Sequence, residues 1–243
     1  IIENNIPHGP IEIVFTICEE IGLLGAKYLD HSKLQSKNAF VFDSSGEVGT
    51  VIIQGPAQKL INATIKGKAA HAGLNPEKGI DAIATAARAI SNMKLGRIDN
   101  ETTANVGIIK GGHSTNIVCD LLELEAEARS LDAKKLDNQV NHMIQCLKDE
   151  CKAANAELDI DIQDCYDEFS IDFNDPILKI VESAMKNAGI DYKPTSTGGG
   201  SDTNILNKSG IKAVTLGIGM TDSHSTEESI TIDSLEKTAL FIE

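Results

Sequence analysis

The sequence predicts an α/β protein in which a mixed sheet between helices is interrupted by a smaller α+β domain. The first and last parts of the chain alternate short apolar, β-branched runs with helical patterns, starting with a strand, a helix over residues 23–34 and a second strand. Between residues 59 and 169 the order changes to β-α-β-β-α-β, the ferredoxin-like pattern of a unit able to stand as its own domain. We therefore expect a first segment (1–55), an inserted domain (56–170) and a second segment (171–243) of the outer domain.

Carboxylates follow both strands of the first segment. The run from Ile11 to Cys18 is apolar and β-branched enough for a buried strand, and Glu19 and Glu20 come directly after it. The strand predicted over residues 38–42 ends at Asp43. Open α/β sheets build their sites at the carboxyl ends of strands, so we expect these carboxylates at one edge. The alternative for the glutamates is that both are solvated and open the next helix, where its dipole favours them.

Periodicity defines the remaining elements. The inserted domain alternates as strands do in four runs and shows helical spacing in two, one of which has a proline near its start. In order, these runs are "KLINATIKG", "NPEKGIDAIATAARAISNM", "TTANVGIIKGG", "DLLELEAEARSL", "AKKLDNQVNHMIQCLKDECKAAN" and "AELDIDIQDCYDEF". After them come an amphipathic helix closed by Gly189, a buried strand "GIKAVTLGIG" and a last helix "IDSLEKTALFIE".

Composition narrows the possible partners and compartments. The chain has 243 residues, 41% of them hydrophobic, which is enough for one large domain or two ordinary ones. Its net charge of -14 repels phosphate backbones and anionic membrane surfaces, so neither nucleic acid nor membrane is expected as a partner. Its five cysteines are odd in number and contain no Cys-x-x-Cys pair. We therefore expect a cytoplasmic protein without a disulfide framework or a thiolate zinc site.

A histidine adds a nitrogen donor to the predicted edge. His224 lies in "GIGMTDSHSTEE", just beyond the strand predicted at residues 213–216. Together with Glu20 and Asp43 it forms a set of oxygen and nitrogen donors that suits zinc, manganese or cobalt. The lack of cysteine donors favours a catalytic site with open positions over a closed structural one. Taken alone, His224 is better explained as an ordinary histidine of a surface loop than as a metal ligand.

Seven motifs in order resemble one known family. They are "TICEEIGLLGAKYL", "VFDSSG", "IKGKAAHAG", "GGHSTNIVCD", "EARSLD", "GGGSDTN" and "DSHSTEE". The chain resembles the dinuclear zinc exopeptidases, a family that includes carboxypeptidase G, the aminoacylases, succinyl-diaminopimelate desuccinylase and peptidase T. The resemblance covers nearly the whole chain. "GGGSDTN", "HAGLNPEKGIDAI" and an aspartate at position 43 are most similar to the peptidase T branch, which consists of cytoplasmic tripeptide aminopeptidases.

The resemblance implies a three-layer catalytic domain and gives the two glutamates different roles. Glu19 aligns with the general base, which takes a proton from the metal-bridging water, and Glu20 with a ligand of one metal. His224 aligns with a histidine ligand of that same metal, and Asp43 with a ligand of the other. Two divalent metal ions are implied, most often zinc, which polarise the scissile carbonyl and activate water.

The inserted domain is implied to act as a lid and as the contact of a homodimer. His71, in "AAHAG", aligns with a histidine that reaches the active site of a partner subunit and stabilises the oxyanion. Asn116 and Arg129 align with lid residues that hold the substrate carboxylate or the tetrahedral species. Without the resemblance, His71 is a hairpin-end histidine and Arg129 a solvated strand residue.

A glycine-rich turn is expected to approach the substrate. "TGGGSD" lacks the lysine of a phosphate loop, which argues against a nucleotide site. Its glycines, up to Gly200, let backbone N–H groups near Ser201 and Asp202 approach a substrate carboxylate. The arginine that some relatives carry before this turn is absent, because Ser196 and Thr197 stand there.

The chain departs from the family pattern at its beginning. Members carry a His-x-Asp motif and a metal-bridging aspartate upstream of the double glutamate, where this chain has only "IIENNIPHGPIEIVF". His8 is not in such a motif, and we do not assign it as a ligand. The simplest hypothesis is that these residues are part of a longer protein.

Three functions follow from these observations. The first is a metal-dependent exopeptidase that removes the N-terminal residue of short peptides. The second keeps the chemistry and changes the substrate, to an N-acyl amino acid or a dipeptide, because the shared motifs describe amide hydrolysis and not side pockets. The third is an inactive fragment that serves as a dimerisation or binding module.

Overall fold

The computed structural model describes residues 6–243, so residues 1–5 of the predicted first segment lie outside the described residues. It forms two compact units: the first unit comprises the residues up to Gly55 together with Asp167–Glu243, and the second unit comprises Pro56–Tyr166. The helices are α1 (Leu24–Tyr28), α2 (Ala82–Asn92), α3 (Ala133–Ala154), α4 (Pro176–Asn187), α5 (Asp202–Lys208) and α6 (Ile232–Ile242). The strands are β1 (Asn38–Ser45), β2 (Thr50–Gly55), β3 (Ala57–Lys66), β4 (Gly96–Arg97), β5 (Thr102–Gly111), β6 (Leu121–Ser130), β7 (Glu157–Tyr166), β8 (Phe169–Ser170), β9 (Lys193–Ser196), β10 (Lys212–Thr221) and β11 (Ser229–Ile230).

The second unit is a ferredoxin-like domain. Its sheet has the order β4-β5-β6-β3-β7, and every neighbouring pair is antiparallel. The central pair, β3 and β6, stays in register over its whole length, from Ala57 opposite Ser130 to Lys66 opposite Leu121. With α2 and α3 between the strands, this arrangement confirms the predicted β-α-β-β-α-β unit.

Capping residues fix the two helices of the second unit. Asp81 accepts a hydrogen bond from the Ala84 N–H, and Asp132 does the same for Lys135, so each helix begins with a satisfied donor. Asn155 ends α3 in the left-handed conformation, with φ of 55°. Even α3, with its 22 residues, is amphipathic, and no helix in the described part of the chain is long and apolar enough to cross a membrane.

The core of the second unit lies between its sheet and helices. Its most deeply buried large side chains come from β3, β6 and α3, and they are Ile61, Ile65, Leu122, Leu124, Leu136, Met143 and Leu147. Lys59 adds an ionic link across the same elements, since its Nζ lies 2.9 Å from Asp137 Oδ1 on α3 and 3.0 Å from Asp164 Oδ1 on β7. Because one face of the sheet is buried and apolar, apolar and polar residues alternate along its strands, and this alternation predicts the strands of the unit from the sequence.

The first unit contains the predicted mixed sheet. Its strands run in the order β1-β10-β2-β8, with β9 beside β2 and β11 beside β10. β1 is parallel to β10 and β9 is parallel to β2, whereas β10 and β8 are antiparallel to β2. Its core combines the sheet with α4 and α6 and is formed by Val51, Ile52, Ile53, Phe169, Ile171, Ile177, Leu178, Val181, Met185, Val214, Leu216 and Phe241.

The strand predicted from Ile11 to Cys18 is not formed, and that prediction was wrong. The segment pairs with no strand among residues 6–243, and its side chains are open to solvent, with Phe15 91% exposed. Its local composition suits a strand, but a strand needs a second backbone row to supply its hydrogen bonds. Here the carboxylate of Glu12 holds the segment instead, by accepting the N–H groups of Gln35 and Ser36.

Two further element boundaries differ from the predictions. The helix expected over residues 23–34 ends at Tyr28, and a separate turn of 3₁₀ helix follows it. Asp30 causes this change, since its side chain accepts the Ser32 N–H and so competes with continued helix. Asp43 lies inside β1 and not after it, because β1 continues to Ser45.

Candidate functional site

Two turns of the first unit bring Glu20 and His224 together. Glu20 follows the extended segment that ends at Cys18, and His224 lies three residues beyond the end of β10. Glu20 Oε2 is 3.5 Å from His224 Nδ1, and both side chains are largely exposed. The sequence prediction placed these two residues on one metal, and the structure places them side by side.

Backbone strain marks both turns. Leu23 has φ of 61° and His224 has φ of 65°, and Cys18 and Asp222 are also left-handed. For a non-glycine residue this conformation costs on the order of 1 kcal/mol, so neighbouring contacts must compensate. Among these contacts, the Leu23 N–H donates to the Glu19 carbonyl at 2.8 Å, and the His224 N–H donates to Glu228 Oε2 at 2.9 Å.

Asp43 lies at an irregularity in the pairing of β1, close to the other residues of the site. The pairing of β1 with β10 shifts between Val41, opposite Thr215, and Ser44, opposite Gly217. An extra residue on one strand bends that strand and redirects its side chains. Asp43 lies in this interval, and its carboxyl group interacts electrostatically with Glu20, Asp202 and His224. Neighbouring parallel strands thus deliver Asp43 and His224 to the same edge, as predicted.

Glu19 differs from Glu20 in its surroundings. Glu19 is half-buried, whereas Glu20 is exposed and faces His224. The pKa of Glu19 is raised to about 7, first by burial and then by the negative charges of Asp43, Glu20 and Asp202, while His224 opposes the shift. The adjacent glutamates therefore occupy different environments, as two different roles require.

The acids of the site other than Glu20 lack cationic side-chain partners. Among the described residues, no lysine or arginine forms an ion pair with Glu19, Asp43 or Asp202. Desolvation of its carboxyl group raises the pKa of Asp43, and the charges of Asp202 and Glu20 add to this. Asp202 is 8% exposed; its Oδ2 accepts the Thr16 hydroxyl at 2.5 Å, and its buried Oδ1 has no hydrogen-bond partner in the described part of the chain. This corner of the first unit therefore carries uncompensated negative charge.

A divalent cation fits this corner by chemistry and charge, but the donor set is incomplete. Carboxylate oxygens and one imidazole are suitable ligands for zinc, manganese or cobalt, and a cation would offset the clustered acids. Within residues 6–243, however, no group of three or more His, Cys, Asp or Glu side chains is arranged to hold a metal ion. Glu20, Asp43 and His224 are thus neighbours in the fold without a finished coordination shell.

The glycine-rich turn is anchored by buried hydroxyls. The Ser201 hydroxyl lies 3.0 Å from Thr215 Oγ1, and the Thr203 hydroxyl lies 2.6 Å from the same atom. The Ser201 N–H donates to Asn204 Oδ1 at 3.0 Å. Of the predicted substrate-binding residues here, Ser201 and Asp202 are buried and Gly200 is half-buried. The side chain of Ser201 therefore holds the turn in place on β10, and substrate contact by this turn stays a prediction.

The second unit brings two of its three predicted residues together. His71 forms an isolated antiparallel bridge with Ile117, and the Ala72 N–H donates to the Asn116 carbonyl at 2.9 Å, so His71 and Asn116 lie on two loops that pair with each other. Both are exposed. The His71 ring also accepts the Gly73 N–H through Nδ1 at 3.1 Å.

Arg129 lies elsewhere in the second unit. Arg129 pairs with Gln58 at the start of β3. His71 follows the other end of β3, which is Lys66, and pairs there with Ile117. These two ends are roughly 26 Å apart at 3.3 Å per residue. Arg129 is also engaged, because its Nε and Nη2 donate to both oxygens of Glu127 at 3.1 and 3.0 Å.

Two residues of the site were not identified from the sequence. Thr16 binds Asp202 from the extended segment, and nothing in the local pattern distinguishes it from a strand residue. Glu228 accepts the His224 N–H and also raises the pKa of Asp43, after the effects of burial, Asp202 and Glu20. Its position four residues after His224, in "DSHSTEES", was the available signal.

Comparison with known proteins gives two family matches. Residues 59–155 match the model of the peptidase dimerisation domain, and residues 160–241 match that of the M42 glutamyl aminopeptidases. Among curated relatives, the uncharacterized protein YqjE of Bacillus subtilis is 42% identical over 98% of this chain and 64% of its own length. Peptidase T of Salmonella arizonae is 26% identical over 96% of this chain and 58% of its own length. The chain thus spans less than two thirds of these relatives.

Solved structures give the same result. A tripeptidase from Staphylococcus aureus superposes with a TM-score of 0.94 at 41% identity, and aminopeptidase PepT from Bacillus cereus with 0.89 at 42%; each match covers 99% of this chain and 64% of the other. The YxeP protein of Bacillus subtilis, described as a dinuclear metal-binding peptidase of the M20 family, shares the fold with a TM-score of 0.69 at 20% identity over 94% of this chain and 62% of its own. In sequence and in fold this chain is similar to the proteins named peptidase T and tripeptidase, and in fold also to a peptidase described as a member of the M20 family, which confirms the resemblance that its motifs indicated.

Proposed function

We propose that this chain forms part of a metal-dependent exopeptidase that removes the N-terminal residue from short peptides, as a tripeptide aminopeptidase does. The observation that carries the proposal is the meeting of Glu19, Glu20, Asp43 and His224 at one corner of the first unit. The names of the relatives support a peptidase, since peptidase T, PepT and tripeptidase recur among them. The matched M42 model also describes an aminopeptidase.

Glu19 is proposed as the proton carrier of the reaction. A general base must be free of fixed cationic partners and poised near the working pH. Glu19 is half-buried, has a pKa raised to about 7 by burial first, and makes no ion pair in the described part of the chain. Its carboxylate would take a proton from water and pass it to the leaving amine.

Glu20, Asp43 and His224 are proposed to hold the cations. Glu20 and His224 would share one ion, and Asp43 would bind the other. When bound, two divalent ions, which we propose to be zinc with manganese or cobalt as substitutes, polarise the scissile carbonyl and acidify water. The YxeP protein, a dinuclear metal-binding peptidase with the same fold, supports this part of the proposal.

The second unit is proposed to act as the lid and to pair two chains into a homodimer. The match of residues 59–155 to a peptidase dimerisation domain supports the pairing. The position of Arg129 at one end of β3, with His71 and Asn116 beyond the other end, supports the exchange of lids, because residues at opposite ends of a strand of about 26 Å reach one peptide bond more readily from two copies. His71 would then stabilise the oxyanion in its partner's site, with Asn116 beside it, and Arg129 would hold substrate.

Substrate contacts in the first unit are assigned to the glycine-rich turn. Gly200, Ser201 and Asp202 form the edge of this turn, which the hydroxyls around Thr215 keep rigid. A cytoplasmic location belongs to the same proposal. Free thiols are found at Cys18, Cys119, Cys146 and Cys151, as expected in a reducing compartment.

Two other functions are tested together with this one. The site chemistry serves an N-acyl amino acid or a dipeptide equally well, because amide hydrolysis needs the same base and cations. A binding or dimerisation module without activity is favoured by the incomplete donor set within residues 6–243.

A substrate panel separates the three functions. The full-length gene product, loaded with Zn²⁺ or Mn²⁺, is assayed with trialanine, with dialanine and with N-acetylalanine. Cleavage of trialanine at a kcat/KM at least about tenfold above the other two supports the proposal. Preference for N-acetylalanine or for dialanine replaces the proposed substrate by that compound. No turnover of any substrate by metal-loaded protein favours the non-enzymatic module.

A further inference from the structure

A groove of about 610 Å³ runs between α3 and β7 on the second unit, and none of the residues proposed for catalysis lines it. Its apolar wall comes from Ile144 and Cys151 on α3 and from Leu158, Ile160 and Ile162 on β7. The three β7 residues alternate along the strand, so they project from the same face. Ile162 is 45% exposed, which leaves apolar surface open at this end of the groove.

Two cationic side chains stand at the edge of this apolar wall. Lys148 and Lys152 both line the groove, and their i, i+4 spacing puts them one helical turn apart on the same side of α3. Neither forms an ion pair with any residue in 6–243. The acids between them are engaged elsewhere, since Glu150 pairs with Arg88 Nε at 3.1 Å and Asp149 accepts the Gln145 amide at 2.7 Å.

The neighbouring strand edge is unsuited to a protein strand. β7 is the last strand of its sheet and pairs only with β3 among the described strands. Its opposite face carries exposed Glu157, Asp159 and Asp161, and charges beside an open edge discourage the addition of another strand. A small molecule bound in the groove would not need to pair with this strand edge, so it fits the groove better than a protein strand does.

We propose that the α3–β7 groove binds a free, medium-chain aliphatic carboxylate. The chain would lie along Leu158, Ile160 and Ile162, and the carboxylate would lie between Lys148 and Lys152. The volume is within the range of sites for small ligands, and an apolar wall with a few convergent polar groups is their usual composition. In a protein of net charge -14, two lysines without carboxylate partners at an apolar groove supply the complementary charge for an anion.

Decanoate below its micelle concentration is the probe, and the whole chain is the sample. Isothermal titration calorimetry on the unaltered protein is expected to show one saturable site per chain. The variant with both Lys148→Gln and Lys152→Gln is expected to bind decanoate about fivefold more weakly, the combined effect of two partly exposed charge contacts. Lys134→Gln, an exposed lysine of the same helix that lies outside the groove, is the matched control and should bind as the parent does.

Location is tested with a reporter in the groove. The chain has no tryptophan, so Ile162→Trp introduces a single tryptophan, which is excited selectively at about 295 nm and whose emission should shift as decanoate saturates the site. 1-Decanol has the same chain length without the charge, and its binding should be equal in the parent and the double lysine variant. The proposal is overturned if Lys134→Gln loses as much decanoate affinity as the double lysine variant does. It is also overturned if the emission spectrum of Ile162→Trp is unchanged at decanoate saturation.

Two other outcomes also overturn it. An absence of saturable decanoate binding leaves the groove without the proposed ligand. A fall in molar mass for Ile162→Asp, measured by sedimentation equilibrium, shows that a second copy of the chain occupies the groove instead.

Discussion

His224 Nδ1 lies 3.5 Å from Glu20 Oε2, so a loop that follows β10 contacts a turn two hundred residues earlier in the chain. Both residues are exposed, and each sits in a turn with left-handed backbone. Their meeting is the most specific tertiary prediction that the sequence allowed. It places an imidazole and a carboxylate beside Glu19 and Asp43, and the predictions below depend on that arrangement.

Glu19→Gln should abolish most peptide hydrolysis in the full-length gene product and leave metal binding intact. The amide keeps the size of the side chain but cannot accept the proton, so kcat is expected to fall by about 100- to 10,000-fold. Steady-state kinetics and metal content measure the two effects. Glu236→Gln, an exposed glutamate of α6, is the control and should retain full activity. Undiminished cleavage by Glu19→Gln would remove the assigned base.

Complementation tests the lid across subunits. His71→Ala and Glu19→Ala are each expected to be nearly inactive, and mixing them under conditions that exchange subunits should recover about a quarter of parent activity, because half of the dimers carry one intact site. Light scattering tests whether each variant forms the proposed dimer. If the mixture stays as inactive as its components, His71 does not act across the interface.

Gly219→Ala should destabilise the first unit more than Gly210→Ala does. Both glycines have positive φ, 89° and 85°, so each substitution incurs about 1 kcal/mol of backbone strain. A Cβ at position 219 would also lie 2.5 Å from the Cβ of Ser234 on α6, whereas one at position 210 meets no described atom within 4 Å. Overpacking adds about 1–3 kcal/mol. Urea midpoints should therefore fall further for Gly219→Ala, and equal midpoints would mean that α6 yields without cost.

Cysteine alkylation should follow burial. Burial raises the pKa of the Cys151 thiol, with a further contribution from Glu150, and the residue is only 2% exposed. Cys18 is exposed and adjacent to Glu19. Since the thiolate is the reactive form, iodoacetamide at pH 8 should modify Cys18 at least about tenfold faster than Cys151, as followed by mass spectrometry of peptides. Similar rates at both positions would show that the α3 side of the second unit opens freely.

The second unit was predictable because local and global signals agree there. The alternation in β3, β6 and β7 places one face of each strand on α2 and α3, and Asp81 and Asp132 mark where those helices begin. No distant partner is needed to recognise such a pattern. The segment from Ile11 to Cys18 shows the opposite case, since its composition suits a strand and its pairing depends on a neighbour that residues 6–243 do not supply.

The sequence predicted which residues form the site but not how their side chains are arranged. The motifs identified Glu19, Glu20, Asp43 and His224, and three of the four follow strands or extended segments. Periodicity carries no information on the register shift that aims Asp43, on the hydroxyl of Thr16 against Asp202, or on the pairing of Arg129 with Glu127. The register shift and the Thr16 contact depend on segments far apart in the chain, whereas the Arg129–Glu127 pair is one of several side-chain contacts open to Arg129 on its strand.

Zinc titration of the full-length gene product tests the central claim most directly. Equilibrium dialysis of the parent protein should give two ions per chain. His224→Ala and Asp43→Asn should each reduce this number toward one, because each removes a donor from a different ion, while Glu236→Gln should leave it at two. Two tightly bound ions in both His224→Ala and Asp43→Asn would contradict the account.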